Sequence, residues 1–328
     1  MSPSRPEPRR GAPVDVVEAA PGIYRLDLFE RGRAQRAASY VVDGGGVVAV
    51  IETGARTSVD SLRGGLRALG IDEESVRYLV VSHVHLDHAG GVGALSALWP
   101  WARVVVHPRG ARHLTDPGRL EASARGVYGA RFDEYFGALV PVAPERLWAA
   151  DDRARIGVGG RELIVLHTPG HAPHHLVVED TATAGVFTGD SAGVVYPALA
   201  PWRRATFHLP TTTPPSFEPE TMALSLERLI ARRPERLYFT HFGAVEPAEP
   251  FLRACAEEAR AWAALARAQA TPEGLRAALR QRLEQRLTAE GIGDTEAAWR
   301  AADLEFDLDL NSQGLWAYAQ AESGVKGG

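Results

Sequence analysis

The sequence predicts an α/β (α+β) protein that ends in an all-helical C-terminal extension. Between residues 14 and 247, apolar or alternating runs typical of strands are interspersed with segments of helical spacing. From about residue 248 the chain is rich in Ala, Leu, Arg and Glu and has no strand signal. We therefore expect a disordered tail at 1–13, a main domain at 14–247, and a helical extension at 248–328 that packs on it.

The first half of the main domain contains signals for five strands, two of them in one hairpin. IYRLDL is followed by ASYVVDGGGVVAVIETG, which reads as a hairpin turning at 43–46. SVDSLRGGLRAL (58–69) has helical spacing, with Ser58 or Asp60 as the N-cap. VRYLVV (76–81) and RVVVH (103–107) are predicted strands on either side of the helix GVGALSALW. Residues 108–150 are less regular and predict short helices at the mouth of the fold.

The second half resumes with strands and ends in helices. RARIGV, RELIVLHT, HLVVED and AGVFTGD are predicted strands. The Pro-rich segment 196–220 has no periodicity, which favours a lid or binding loop. MALSLERLIAR is a predicted helix that leads into the strand RLYFTHFG. In the extension we predict three helices, at roughly 248–268, 272–289 and 294–320.

Composition excludes several classes of protein. The 328 residues have a net charge of −5 and no block of basic residues, which argues against a nucleic-acid partner. A single cysteine, Cys255, allows no internal disulfide and favours a reducing compartment. No apolar run approaches the ~18 residues needed to span a bilayer, so we expect no membrane association and a cytoplasmic location.

Residues 82–91, SHVHLDHAGG, concentrate metal-ligand side chains. His83, His85, Asp87 and His88 lie within six positions of a chain that has only 11 histidines. Imidazole nitrogen and carboxylate oxygen are the donors that zinc, iron and manganese accept. In an extended segment, His83 and His85 lie on one face because they are two residues apart. The cluster follows a predicted buried strand directly.

Three further strand ends bear the same residue types: His171 in HTPGH, Asp190 in FTGD and His241 in FTHFG. Seven donors are too many for one ion and suit two ions that share a carboxylate. The sequence therefore predicts a dinuclear site with two divalent ions. Zinc is the expected metal, and iron or manganese stays open.

These motifs, in this order and spacing, resemble the metallo-β-lactamase-fold hydrolase superfamily over about residues 20–245. The resemblance implies a four-layer αββα sandwich of two mixed β-sheets. It implies that His83, His85 and His171 bind one ion, that Asp87, His88 and His241 bind the other, and that Asp190 bridges them. His175 matches a structural or orienting histidine. Asp87 and Asp190 are the expected catalytic residues.

Differences between this sequence and particular branches of the superfamily reduce the number of reactions that we expect. Asp190 argues against a true β-lactamase, and the segment SAGVVYPALAPW lacks the glutathione-binding pattern of glyoxalase II. We predict hydrolysis of an ester, lactone or thioester of a small acyl substrate by a hydroxide that bridges the ions. A phosphodiesterase and a metal-binding sensor with little turnover are the alternatives.

Substrate contacts have weaker support in the sequence. Tyr196, Trp202 and His208 lie in the predicted lid and are candidate substrate-binding residues, although each is equally explained as loop packing. His174 is expected to be exposed. The aromatic run at 128–136 has near-helical spacing, which favours core packing, with the wall of a pocket as the second possibility. The helical extension is expected to cover a sheet, to roof the pocket or to form a homodimer.

Overall fold

The computed structural model describes residues 14–202, 206–214 and 216–324. The predicted disordered tail at 1–13 lies outside this part of the chain. The strands are β1 Val16–Ala20, β2 Ile23–Asp27, β3 Ala38–Asp43, β4 Val48–Ile51, β5 Val76–Val80, β6 Arg103–Val106, β7 Leu147–Ala149, β8 Arg155–Val158, β9 Arg161–His167, β10 Leu176–Asp180, β11 Gly185–Phe187, β12 Val194–Val195, β13 His208–Leu209, β14 Arg236–Phe239 and β15 Gly243–Val245. The α-helices are α1 Val59–Ala68, α2 Leu86–Ala89, α3 Val92–Leu98, α4 Pro108–Thr115, α5 Gly118–Tyr128, α6 Phe132–Tyr135, α7 Pro219–Ala231, α8 Ala248–Arg267, α9 Pro272–Ala289, α10 Thr295–Ala302 and α11 Leu304–Glu322.

Two large mixed sheets form the centre of the molecule. The first has the strand order β1-β2-β3-β4-β5-β6-β7, antiparallel up to β4 and parallel from there on. The second has the order β15-β14-β11-β10-β9-β8, in which only β11 and β14 are parallel. The short strands β12 and β13 pair separately. The predicted hairpin at 43–46 is confirmed by the antiparallel pair β3 and β4.

The two sheets pack face to face because their strands are apolar on alternate sides. In β3, Tyr40 and Val42 face the second sheet, whereas Val41 faces the outer helices. In β9, Val165 faces the first sheet and Leu166 faces the other way. The Tyr40 hydroxyl donates a 2.8 Å hydrogen bond to the Phe239 carbonyl, so the sheets are also joined by a buried polar contact.

Helices cover both outer faces. Helices α1 and α3 pack on the first sheet through residues such as Leu62, Leu66 and Leu95. Helices α7 to α11 pack on the second sheet, and their apolar side chains form one continuous core with Leu166, Val177 and Phe239. The four-layer αββα sandwich with a helical C-terminal region is therefore confirmed. Its division into a catalytic domain at 14–247 and an extension stays a prediction.

Several sequence-based boundaries were wrong. The predicted third helix of the extension at 294–320 is two helices, because Asp303 adopts a left-handed conformation (φ 56°) between α10 and α11. The short strands β7, β12, β13 and β15 were missed, since runs of two or three residues show no periodicity. Ser58 occupies the N-cap of α1 without a side-chain capping hydrogen bond. Within the described residues, no helix combines the length and apolar character needed to cross a bilayer.

The glycine in α11 lets this helix approach the loop after β13. A Cβ atom at Gly314 would lie 1.4 Å from the Thr212 carbonyl oxygen. We expect Gly314→Ala to lower the free energy of unfolding by about 1–3 kcal/mol, because the helix must move away from the loop. Gly126→Ala in α5 is the matched control: its Cβ meets nothing within 4 Å, so better helix propensity should leave stability equal or raise it by up to about 1 kcal/mol. Urea unfolding measures both, and equal midpoints for the two variants would contradict this account of the contact.

Candidate metal centre

The seven predicted donors converge where strands of both sheets end. His83 and His85 follow β5 of the first sheet, and Asp87 and His88 lie in the short helix α2. His171 follows β9, Asp190 follows β11 and His241 follows β14, all of the second sheet. Because the strands are held rigidly by the core between the sheets, the donors are positioned by packing rather than by the loops alone.

The first group of donors consists of His83, His85, His171 and Asp190. His85 Nδ1 lies 2.8 Å from His83 Nε2 and 3.1 Å from His171 Nε2. The Oδ2 atom of Asp190 lies 3.3 Å from His171 Nε2 and 4.0 Å from His83 Nε2. Donors placed about 2.0–2.1 Å from a tetrahedral zinc ion are about 3.3 Å apart, so the spacing fits one ion at the centre of this group.

The second group consists of Asp87, His88 and His241. His88 Nε2 and His241 Nε2 are 3.2 Å apart, and Asp87 Oδ2 lies 3.8 Å and 3.5 Å from them. The Oδ1 atom of Asp190 faces this group, at 3.2 Å from His88 Nε2. The two oxygens of one carboxylate thus point at different donor groups, as a bridging ligand requires.

The Oδ1 atom of Asp190 provides a separate test of whether the donor groups suit a cation. It is buried, and within the described part of the chain no donor meets it with hydrogen-bond geometry, although His88 Nε2 lies 3.2 Å away. A buried carboxylate oxygen without a donor costs free energy, and a cation between Asp190 and the imidazoles of the second group would satisfy it. The His and Asp residues are therefore positioned for metal binding.

The ring nitrogens that face away from the donor groups are held by hydrogen bonds. His83 Nδ1 lies 2.9 Å from Ser82 Oγ, His171 Nδ1 lies 3.3 Å from the Thr211 carbonyl, and His241 Nδ1 lies 2.6 Å from the Arg36 carbonyl. Such contacts fix the tautomer of a ligating imidazole and the direction of its free lone pair.

Glu52 is a buried carboxylate that the sequence analysis missed. Its Oε1 atom lies 3.3 Å from His88 Nδ1, and its Oε2 atom accepts a 3.3 Å hydrogen bond from the Ser82 backbone N–H. Glu52 therefore orients His88 in the way that the Ser82 hydroxyl orients His83 and backbone carbonyls orient His171 and His241. The available signal was an acidic residue immediately after the apolar strand VAVI, which is the same pattern that identified Asp190.

His175 lies behind Asp190, which fits the predicted orienting role. Its Nε2 atom accepts a 3.1 Å hydrogen bond from the Asp190 backbone N–H. The proton must then be on Nδ1, which lies 2.9 Å from Thr168 Oγ1 and 3.1 Å from Ser191 Oγ. Burial holds the pKa of His175 well below its ordinary value, so the ring is neutral and this pattern is stable.

The two groups differ in their electrostatics. Burial and the neighbouring His171 lower the pKa of His85 to about 3, so the first group presents neutral imidazoles. Burial opposes protonation of His241, but the hydrogen bond to Asp87 and the charge of Asp190 outweigh it and raise its pKa to about 9. The second group therefore lies in a negative potential, which favours a divalent cation.

A cavity of about 860 Å³ opens over the donors. His85, Asp87, Asp190 and His241 line its floor. Its apolar wall is formed by Val84, Leu86, Leu120, Val127, Tyr128, Phe136, Phe306 and Leu310. The structure places Tyr128 and Phe136 in the wall of the cavity, the second position expected for them, and Phe136 also packs in a buried cluster with Phe132. His174 is half-buried and also lines the cavity, so the expectation of an exposed side chain was wrong.

Tyr196, Trp202 and His208 do not lie among the residues that line the cavity. The buried Tyr196 hydroxyl donates to Asp307 Oδ2 at 2.9 Å, and the His208 ring packs 5.0 Å from the Phe251 ring. Trp202 packs against the core between the second sheet and the helices. The loop does contribute Thr211 and Thr213 to the cavity, but small hydroxyl residues give no signal in the sequence.

An αββα sandwich with two adjacent groups of His and Asp donors, at the end where strands of both sheets meet, defines a class of metal-binding proteins. Residues 32–241 match the Metallo-beta-lactamase superfamily, and the chain belongs to it. The solved archaeal member ST1585 from Sulfolobus tokodaii shares the fold, with a TM-score of 0.61 and 24% identity over 86% of this chain and 93% of that chain.

Curated relatives fall into more than one activity. Metallo-beta-lactamase fold-containing protein ST1585 of Sulfurisphaera tokodaii is 30% identical over 179 residues, 53% of this chain and 63% of its own length. Acyl-coenzyme A thioesterase MBLAC2 of Gallus gallus is 34% identical over 192 residues, with the same two shares. N-acyl homoserine lactonase AttM of Azorhizobium caulinodans is 32% identical over 115 residues, 34% of this chain and 38% of its own. The chain spans less than two thirds of the length of each of these relatives.

The contact between Glu52 and His88 can be tested through metal affinity. Glu52→Gln removes the charge that orients His88, so we expect metal held by His88 to be bound about 10–100-fold more weakly. Titration with a competing chelator, followed by elemental analysis, measures the loss. Glu74→Gln, at an exposed site, is the control and should leave affinity unchanged. Equal metal affinity in both variants would contradict the orienting role.

Proposed function

We propose that this protein is a metal-dependent hydrolase that cleaves an ester, lactone or thioester bond in a small acyl substrate, with two divalent ions. The observation that supports it most is the shared cavity: donors of both groups face one space that is walled by apolar side chains. The relatives named as a thioesterase and a lactonase are consistent with this reaction class.

Two bound divalent ions would supply Lewis acidity for the carbonyl and a hydroxide near neutral pH. The residues of this chain would position the ions and move the protons. Asp190 faces both groups and fixes their separation. Asp87 has a side chain that is 29% exposed, against 6% for Asp190, so we assign to Asp87 the transfer of protons between the site and the solvent.

The apolar wall fits an acyl group. Leu120, Val127 and Phe136 belong to the α5–α6 segment, and Phe306 and Leu310 belong to α11, so the wall is formed from two sides. Burying an apolar chain there contributes about 25 cal/mol per Å² of apolar surface removed from water. Substrate affinity should therefore rise with acyl chain length until the cavity is filled.

Tyr128 is the candidate for a polar contact with the reacting carbonyl. It lines the cavity beside the donors, and its ring is held edge-on to Phe136 at 4.8 Å. Burial, together with the charges of Asp87 and Glu30, raises the pKa of Tyr128, so the phenol stays protonated and can donate a hydrogen bond. A donor aimed at the oxygen that gains charge lowers the barrier to acyl transfer.

The metal requirement is tested with Asp190→Ala. Since Asp190 serves both donor groups, we expect loss of bound metal from about two equivalents to one or none, and loss of hydrolysis. Elemental analysis and a panel of ester, lactone and thioester substrates measure the two effects. Asp72→Asn, at an exposed site, is the control. Full turnover by Asp190→Ala would contradict the proposal.

The same panel, extended to phosphodiester substrates, separates the alternatives. Hydrolysis of phosphodiesters but not of carboxylic esters would favour a phosphodiesterase. Two equivalents of metal without hydrolysis of any substrate class would favour a metal-binding sensor.

Tyr128→Phe tests the hydrogen-bond donor. Removing the hydroxyl should lower kcat by about tenfold or more and change KM less, because the contact strengthens as charge develops on the carbonyl oxygen. Metal content should stay at the wild-type level, which separates this role from structural damage. Tyr135→Phe, in the neighbouring helix, is the control. An unchanged kcat for Tyr128→Phe would contradict the assignment.

A further inference from the structure

Arg109 and Arg112 of α4 line one side of the cavity, and neither takes part in the proposed reaction. Both side chains are exposed. Within the described residues, neither has a carboxylate partner within 4.0 Å, whereas Arg36, which also lines the cavity, is paired with Asp307. These two guanidinium groups are therefore available to a ligand in the cavity.

The other charges of the cavity are already balanced. Arg36 pairs with Asp307 at 2.9 Å, and Arg31 Nε lies 3.4 Å from Glu30 Oε1. Asp87 and Asp190 face the imidazoles and the metal positions. The cavity thus has two polar ends: a floor of metal-donor side chains, and a cationic rim formed by Arg109 and Arg112.

The cationic rim is held in place by close packing. A Cβ atom on Gly110 would lie 2.9 Å from Val84 Cγ1, so α4 rests directly on the residue between His83 and His85. Arg109 and Arg112 are three residues apart and share one face of the helix. Arg112 Nε donates a 3.3 Å hydrogen bond to His113 Nε2, which leaves its two terminal nitrogens for a ligand.

Three imidazole rings lie in a row from the floor to the rim, and the distances between them show how far apart the two ends are. The His85 and His174 rings are 6.2 Å apart, and the His174 and His113 rings are 6.1 Å apart. His113 adjoins Arg112. The two ends are therefore separated by several bonds of a small organic molecule, and one molecule can reach both.

We infer that the cationic rim binds an anionic group, a carboxylate or a phosphate, on the part of the substrate remote from the bond that is cleaved. This inference rests on the proposed hydrolase function and specifies its substrate class as anionic acyl esters or thioesters. Guanidinium groups bind both anions through paired hydrogen bonds, and the apolar wall leaves the acyl chain a separate position.

The test uses three octanoyl thioesters that differ in the charge of the thiol. N-acetylcysteamine is neutral, 3-mercaptopropionate bears a carboxylate, and 4′-phosphopantetheine bears a phosphate. We expect the wild-type protein to have a higher kcat/KM for one or both anionic thioesters. Arg109→Gln and Arg112→Gln should each lower that value about fivefold and leave the neutral thioester within about twofold. Sodium chloride at about 0.5 M should reduce the preference, because it screens exposed charges.

Arg119→Gln is the matched control, since Arg119 is exposed on the next helix and does not line the cavity. Equal kcat/KM for all three thioesters in the wild-type protein would overturn the inference. So would an equal loss on the neutral thioester in the arginine variants. The anionic thioester with the higher kcat/KM shows whether the cationic rim prefers a carboxylate or a phosphate.

Binding measured without turnover separates this inference from the proposed function. Calorimetry should show that 4′-phosphopantetheine or 3-mercaptopropionate binds the wild-type protein more tightly than neutral pantetheine, and that the Arg109→Gln/Arg112→Gln variant loses the difference. If this result holds while no thioester, ester or lactone is hydrolysed, the cationic rim stands and the proposed reaction fails. If hydrolysis proceeds but neither anion binds more tightly, the cationic rim fails and the reaction stands.

Discussion

The carboxylate of Asp190 requires that strand ends from both sheets meet at one point. Each of its two oxygens faces one donor from the first sheet and one from the second. The two sheets must therefore keep a fixed position relative to each other. The hydrogen bond from Tyr40 to Phe239 and the one from the Ala38 backbone N–H to the Thr240 carbonyl, each 2.8 Å long, join the sheets close to His241. Gly189 (φ +48°) allows the loop of Asp190 to pass Ser82, where a Cβ atom would lie only 2.6 Å away.

Helix α11 supports the donors from the outside, and each of its two contacts reaches a histidine through one intermediate. Asp307 binds the Arg36 side chain, and the Arg36 carbonyl faces His241 Nδ1. Asn311 accepts a 2.6 Å hydrogen bond from the Thr212 backbone N–H, next to the Thr211 carbonyl that faces His171 Nδ1. The C-terminal helices therefore do more than cover an apolar sheet: they help to fix the outward side of both donor groups.

The cavity combines elements that are distant in the sequence. The α5–α6 segment and α11 supply its apolar wall, α4 supplies its cationic rim, and the strand ends supply its floor. An arrangement of this kind can hold an acyl chain, a reacting carbonyl and a charged group at three separate places. Variation in α4 and α5 would change the lining of the cavity without disturbing the donors, because the donors depend on the strands and on α11.

The sequence by itself determined an α/β fold with a helical C-terminal region and the seven metal-donor candidates, and the resemblance of its motifs to a known superfamily implied the αββα arrangement. The donors lie within a few residues of the ends of apolar strands or in the short helix α2 after β5. The strand period and the ligand chemistry are both local properties that can be read from neighbouring residues. The sequence did not identify Glu52 or Arg112, it ranked core packing above a pocket wall for Tyr128, and it offered Tyr196 and His208 as substrate contacts beside an explanation as loop packing. Their surroundings explain the difference: Tyr196 reaches Asp307, 111 residues away, and His208 packs on Phe251. Which side chains face the cavity was decided only by the tertiary structure, because exposure to a shared space depends on contacts between segments that no local pattern records.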